Sequence, residues 1–133
     1  MAKAKMCVVL KSNIESVWAV VTDNSRYAWR SDLEKIETLD AWNFVEQTRN
    51  GVQTKFTILA KQPYARYAFD MKNANIQGHW TGVFRKVSGG TEIEFTEEVV
   101  AMNPIMNLFA GIYLKRQQKQ YIADLRKALG EET

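Results

Sequence analysis

The sequence predicts an α+β fold: one curved antiparallel sheet closed over by a long C-terminal helix, with two short helices after the first strand. Three observations predict it. Residues 33–101 read as strand after strand with hairpin punctuation between them. Residues 12–32 hold a short helix with one apolar face and then a polar break. Asn103-Pro104 opens a long helical run that stops at Gly130.

In chain order, residues 4–11 alternate loosely and form the first strand. Ser12 and Glu15 have capping-box spacing, and Ile14, Val17, Trp18 and Val21 make one face of the helix that follows. Asp23-Asn24-Ser25 ends it, because these side chains bond to nearby backbone. "RYAWRSD" then supplies one further helical turn, the second short helix. Strands are expected near 33–40, 42–48, 52–60, 64–72, 76–87 and 91–101. They are separated by "RNG", "KQP", "NAN" and "SGG", all suited to antiparallel hairpins. The long helix spans about Pro104 to Leu129.

A chain of 133 residues has room for one core, so residues 1–133 form a single domain. A hydrophobic content of 46% with 25% charged residues suits an ordinary soluble globular protein. The net charge of +3 comes from Lys and Arg mixed with Asp and Glu, which argues against nucleic acid as a partner. Cys7 is the only cysteine, so no intrachain disulfide forms, as in a reducing compartment. "MAKAKMCVVLKS" has too short an apolar run for a signal peptide, and nothing is long enough to span a membrane. A cytoplasmic location follows. One histidine and one cysteine give no zinc set, and no glycine-rich loop precedes a helix, so no metal and no cofactor is expected.

Strand alternation selects the inward side chains. Phe56 and Ile58 face in from one strand, Tyr67, Phe69 and Met71 from the next. Trp80 and Phe84 share a face with Gly78 and Gly82, which implies a sharp bend or space left for something else. Trp42 and Phe44 put Glu46 on the inner face, and Ile93 and Phe95 put Glu97 there. A carboxylate inside is costly unless paired or wet. Either each glutamate lies past the edge of the core, or the strand register is off by one, or both line a partly polar cavity.

These pieces together resemble a known group. "SNIESVWAVVTDNSRYAWRSDLEKIETLD" at 12–40, "FVEQTRNGVQTKFTI" at 44–58, "NIQGHWTGVF" at 75–84, "GTEIEFTEEV" at 90–99 and "YIADLRKALGE" at 121–131 carry the likeness. The chain is similar to the SRPBCC group of the START/Bet v 1-like superfamily, the polyketide cyclase/dehydrase and lipid transport proteins. The resemblance implies a helix-grip fold with a hydrophobic cavity between sheet and C-terminal helix, closed at one end by the insert bearing Trp18 and Trp29.

On that basis the leading expectation is binding of a small apolar or amphipathic molecule. Trp42, Phe44, Phe56, Tyr67, Phe69, Trp80, Phe84 and Phe95 would line the cavity, with Glu46 and Glu97 as polar handles. A cyclase, aromatase or dehydratase is the alternative, with Glu46 or Glu97 as the catalytic acid or base. His79 alternates out of phase with Trp80 and faces away. A protein-interaction or stress-associated module is a third reading. The long helix carries two apolar sets on opposite sides. Leu114, Tyr121, Ile122, Leu125 and Leu129 form the core-packing set. Ile105, Leu108, Phe109, Ile112 and Tyr113 form the other, so the helix either breaks near Gly111 or exposes this second set. Phe109 and Ile112 are then expected to gate the cavity and touch ligand. A homodimer contact is the next use for this half of the helix, and a membrane-touching patch the last, with no stable insertion. The cluster Lys115, Arg116, Lys119, Arg126 and Lys127 reads as a solvated outer face, with anionic lipid or nucleic acid as the lesser alternative.

Overall fold

A computed structural model describes residues 2–131. Its elements are β1 (Ala2–Leu10), α1 (Ile14–Thr22), β2 (Leu33–Thr38), β3 (Asn43–Thr48), β4 (Gln53–Gln62), β5 (Arg66–Lys72), β6 (Ile76–Val87), β7 (Gly90–Ala101) and α2 (Pro104–Ala128). The seven strands make one sheet in the order β1-β7-β6-β5-β4-β3-β2, and every neighbouring pair is antiparallel. The first two strands therefore occupy opposite edges. The stretch between them, α1 and the turns after it, has to cross the whole width of the sheet.

Among the described residues only one short helix is present. Residues 23–32, read above as containing a second, are turns closed by Arg26 N–H to Asp23 O and Arg30 N–H to Tyr27 O. The cap of α1 also differs by one residue. Asn13 is the N-cap, its side chain accepting from Ser16 N–H at 2.8 Å. Ser12 serves the other end of the chain instead. Its N–H and hydroxyl both donate to Glu131, at 3.0 and 2.6 Å, and Lys11 N–H joins them at 2.7 Å.

The helix α2 runs unbroken through Gly111. Asn103 caps it by accepting from Ile105 N–H, and Pro104 sits in its first turn, where a missing N–H costs nothing. Four of its five buried residues, Leu114, Gln118, Ile122 and Leu125, recur every three or four positions and face β1 and β7. The second apolar set lies on the opposite side, and Ile105, Leu108, Phe109, Ile112 and Tyr113 are all exposed.

Gly78 and Gly82 do not leave space. A Cβ on Gly82 would lie 2.6 Å from the Trp80 ring, and one on Gly78 would lie 2.7 Å from the Glu98 carbonyl. The indole of Trp80 lies over Gly82 because no side chain stands there. Gly82→Ala is expected to push Trp80 off its rotamer and cost about 1–3 kcal/mol. Urea unfolding together with the near-UV signal of the tryptophans checks it.

Candidate functional site

The concave face of the sheet carries a continuous chain of aromatic rings. Phe44 stacks on Phe56 (centroids 4.8 Å apart) and Phe69 on Trp80 (4.9 Å), with Phe56 and Phe69 in edge contact at 5.1 Å. Trp80 then meets Phe95 at 5.1 Å, Phe95 meets Tyr121 of α2 at 5.3 Å, and Tyr121 meets Trp29 at 5.4 Å. At the opposite end Tyr67 and Phe84 pack on Trp18 of α1. Seven of the predicted lining residues are therefore brought together: Phe44, Phe56, Tyr67, Phe69, Trp80, Phe84 and Phe95.

Three are not. Trp42 is 54% exposed. Asp40 accepts from the N–H groups of both Trp42 and Asn43, so a turn holds Trp42 ahead of β3, where strand alternation does not apply. Phe109 and Ile112, expected to touch ligand at a gate, sit on the face of α2 turned away from the sheet. His79 is on the convex side, as its phase implied, between Asp70 (2.8 Å) and Thr81 (3.0 Å).

The two ends of the concave face differ. Leu10, Val17, Tyr67, Phe84 and Ile93 seal the end under α1. Toward the other end Glu46, Thr54, Phe69, Gly78, Glu97 and Tyr121 are only half-buried. The reason is the placement of α2, which packs on β1 and β7 and leaves the inner face of β3 to β5 without a helical cover. In place of the expected enclosed cavity the concave face over β3 to β5 is an open groove, bordered on one side by α2 and by Trp29 and Arg30, which pack against Tyr121 of that helix. Two clefts lie nearby. One, of about 510 Å³, runs between the C-terminal end of α1 and the β2–β3 hairpin and reaches Phe44 and Ile58 of the concave face. The other, of about 740 Å³, lies against residues 19–29 and Ala128.

Glu46 and Glu97 both face the groove. Glu46 is the cross-strand partner of Ile36 and Thr54, and Glu97 that of Ala4 and Trp80. Between them stands Arg30, which the sequence reading missed. Its guanidinium lies 5.2 Å from the centre of the Tyr121 ring and 5.8 Å from that of Trp29. It holds Asp32 by two hydrogen bonds of 3.1 Å and reaches Glu46 at 3.5 Å. Burial works against the Arg30 charge, but Glu46 and Asp32 outweigh it and raise its pKa. Glu46 has the weaker share of that guanidinium, since the two-point fork goes to Asp32. Burial, helped by Asp32, raises the Glu46 pKa against the pull of Arg30. The signal for Arg30 was "WRSD", an arginine between an aromatic and a carboxylate within one turn segment.

Glu97 is the group left without a partner. It makes no hydrogen bond or ion pair among the described residues. Burial, with the Glu46 charge adding to it and Arg30 opposing, pushes its pKa up to about 7. Tyr121, on the α2 wall, is shifted upward as well, chiefly by burial; the exposed Tyr113 moves the same way, through partial desolvation and the nearby Asp32 and Glu97 charges. The Tyr67 hydroxyl is buried without a well-formed hydrogen bond. Burial takes its pKa up to about 12, although the Asn24 side chain is near enough to oppose the rise.

The family described as "Polyketide cyclase / dehydrase and lipid transport" matches residues 1–130. No curated protein matches the sequence. Among solved structures, a START superfamily protein from Mycobacterium smegmatis superposes with a TM-score of 0.88 at 7% identity, over 100% of both chains. A protein from Mesorhizobium loti gives a TM-score of 0.81 at 16% identity, over 98% of each chain. The di-domain ARO/CYC protein BexL of the BE-7585A biosynthetic pathway gives 0.81 at 11% identity, over 98% of this chain and 47% of its own. At these identities the superpositions establish the fold.

Removing Arg30 leaves Glu46 half-buried beside Asp32 with no counter-charge. Arg30→Ala is expected to cost about 3–5 kcal/mol at pH 8. The loss shrinks as pH falls, because protonating Glu46 removes the unpaired charge. Urea unfolding of the variant and the parent at pH 8 and pH 5 reads the difference.

Proposed function

The chain belongs to the polyketide cyclase/dehydrase and lipid transport family, and on that premise we propose that it binds a small apolar or amphipathic molecule in the groove between α2, the Trp29–Asp32 segment and the sheet. The observation that carries this reading is Glu97. A carboxyl without a hydrogen-bond partner, cross-strand from Trp80, whose ring packs on Phe95, is a polar handle on an apolar surface. The apolar body of the ligand lies on the Phe69, Trp80 and Phe95 rings. Its polar head lies at Glu97, which near neutral pH both donates and accepts. Arg30 is already engaged by Asp32 and Glu46, so a strongly acidic head gains little there.

A second reading rests on the same carboxyl. A group titrating near 7 is suited to general acid–base work, so Glu97 serves as proton donor or acceptor if the bound molecule is turned over. Glu97→Gln separates the two readings, because it keeps the shape and a hydrogen bond but abolishes proton transfer. Native mass spectrometry of the freshly purified protein identifies a bound molecule. Retention of that molecule by Glu97→Gln without chemical change supports binding, and accumulation of an unconverted precursor supports turnover. Absence of any bound molecule, with no lipid or aromatic compound displacing an apolar dye, removes both.

The raised pKa also sets a pH dependence. Glu97 shifts from 4.5 to about 7 on folding, so the folded state holds its proton longer than the unfolded state. Its effect is nil below about pH 4.5, grows as pH rises, and is complete above about pH 7, where it removes up to about 3 kcal/mol. Glu97→Gln is therefore expected to be more stable than the parent at pH 8 and to converge with it near pH 4. Chemical unfolding across that range reads the gap.

A further inference from the structure

The outer face of α2 is used by neither the core nor the groove. Its first turns present Ile105 (67% exposed), Leu108 (77%), Phe109 (61%) and Ile112 (59%) to solvent. Their spacing of three, one and three places them on a single stripe, opposite Leu114, Gln118, Ile122 and Leu125. Further along, the same stripe continues as Arg116 and Lys119, with Lys115 on its flank. All three are exposed, and none forms an ion pair among the described residues. Within α2 the only carboxylate is Asp124, which is 7% exposed and bonded to Ser31 and Gln120. One helix face is thus apolar in its first half, cationic in its second, and carries no exposed anion.

An apolar patch of this kind calls for a cover, and the cover has to suit both halves. A second copy of the chain would bury the apolar part but offer its own basic set to the assembly. A bilayer with anionic head groups satisfies both at once. Leucine, isoleucine and phenylalanine side chains sink to the acyl boundary while lysine and arginine stay at the phosphates. No helix among the described residues is long and apolar enough to cross a membrane, so such contact is peripheral.

We infer that the outer face of α2 docks the protein on an anionic lipid bilayer, through Ile105, Leu108, Phe109 and Ile112 in the acyl boundary and Lys115, Arg116 and Lys119 at the head groups. This docking is independent of what the groove holds. Local surface charge attracts each basic residue, and the attraction falls as salt rises.

The test is flotation of the full chain with vesicles of phosphatidylcholine alone, or with about 30% phosphatidylserine included to supply the surface charge. Binding to the anionic vesicles is expected to exceed binding to the neutral ones by about tenfold or more at low salt, and to weaken at high salt. Leu108→Ser with Phe109→Ser, and separately Lys115→Glu with Arg116→Glu, are each expected to abolish it while leaving the thermal midpoint in place, since all four side chains are exposed. Equal flotation with both vesicle types, or none with either, overturns the inference. Self-association in sedimentation velocity that Phe109→Ser removes also overturns it, since a second copy then covers the face.

Discussion

The bond between Ser31 and Asp124 sets the geometry on which the groove depends. Asp124 is buried on α2 and accepts from both the N–H and the hydroxyl of Ser31, at 2.9 and 2.8 Å. That fastens the turn segment to the helix. Arg49 fastens it to the sheet, donating its Nε to the Ser31 carbonyl at 2.9 Å while its N–H reaches Asp32 O. The segment crosses from one edge of the sheet to the other, and these bonds hold it at a fixed height over β3. Trp29 and Arg30 project from that bridge, so their placement over the concave face follows from Ser31.

The bridge also explains why a charge is tolerated there. A guanidinium taken from water loses solvation that one contact does not restore. Arg30 has a two-point bond to Asp32, the Glu46 carboxylate, and two aromatic faces. The cost is passed on to the carboxylates. Burial pushes both carboxylates toward the neutral form, because Glu46 shares the cation with Asp32 and Glu97 feels only its weaker pull without a direct contact. A surface of rings with a proton-holding carboxyl at its centre differs physically from either a dry core or a solvated sheet face.

α2 divides its labour along its length. Its second half buries Gln118, Ile122 and Leu125 and walls the groove with Tyr121, while its first half contributes Leu114 to the core and turns its other large side chains outward. Tyr113 stands where the two regions meet, exposed, yet close enough to Glu97 to be affected by its charge. The outer face and the groove are therefore two sides of one unbroken helix.

Local chemistry in the sequence determined most of the architecture. Alternation in β3 to β7, the turn residues between them, Asn103-Pro104 and the polar break after α1 depend on neighbours within a few residues, and such patterns survive folding. The inward phase of Glu46 and Glu97 was legible for the same reason, as was the outward phase of His79. Tertiary structure alone decided the rest. Trp42 left the inner face because Asp40 closes a turn one residue before the strand begins. The far end of the 23–32 segment was placed by bonds from Asp124 and Arg49 that hold Ser31 and Asp32, one of them to a helix more than ninety positions away. Arg30 and Tyr121 entered the site through contacts across the whole chain, which no local spacing encodes. Which apolar side of α2 met the sheet was likewise settled by packing, because a straight helix offers one face to one sheet and must leave the other to solvent.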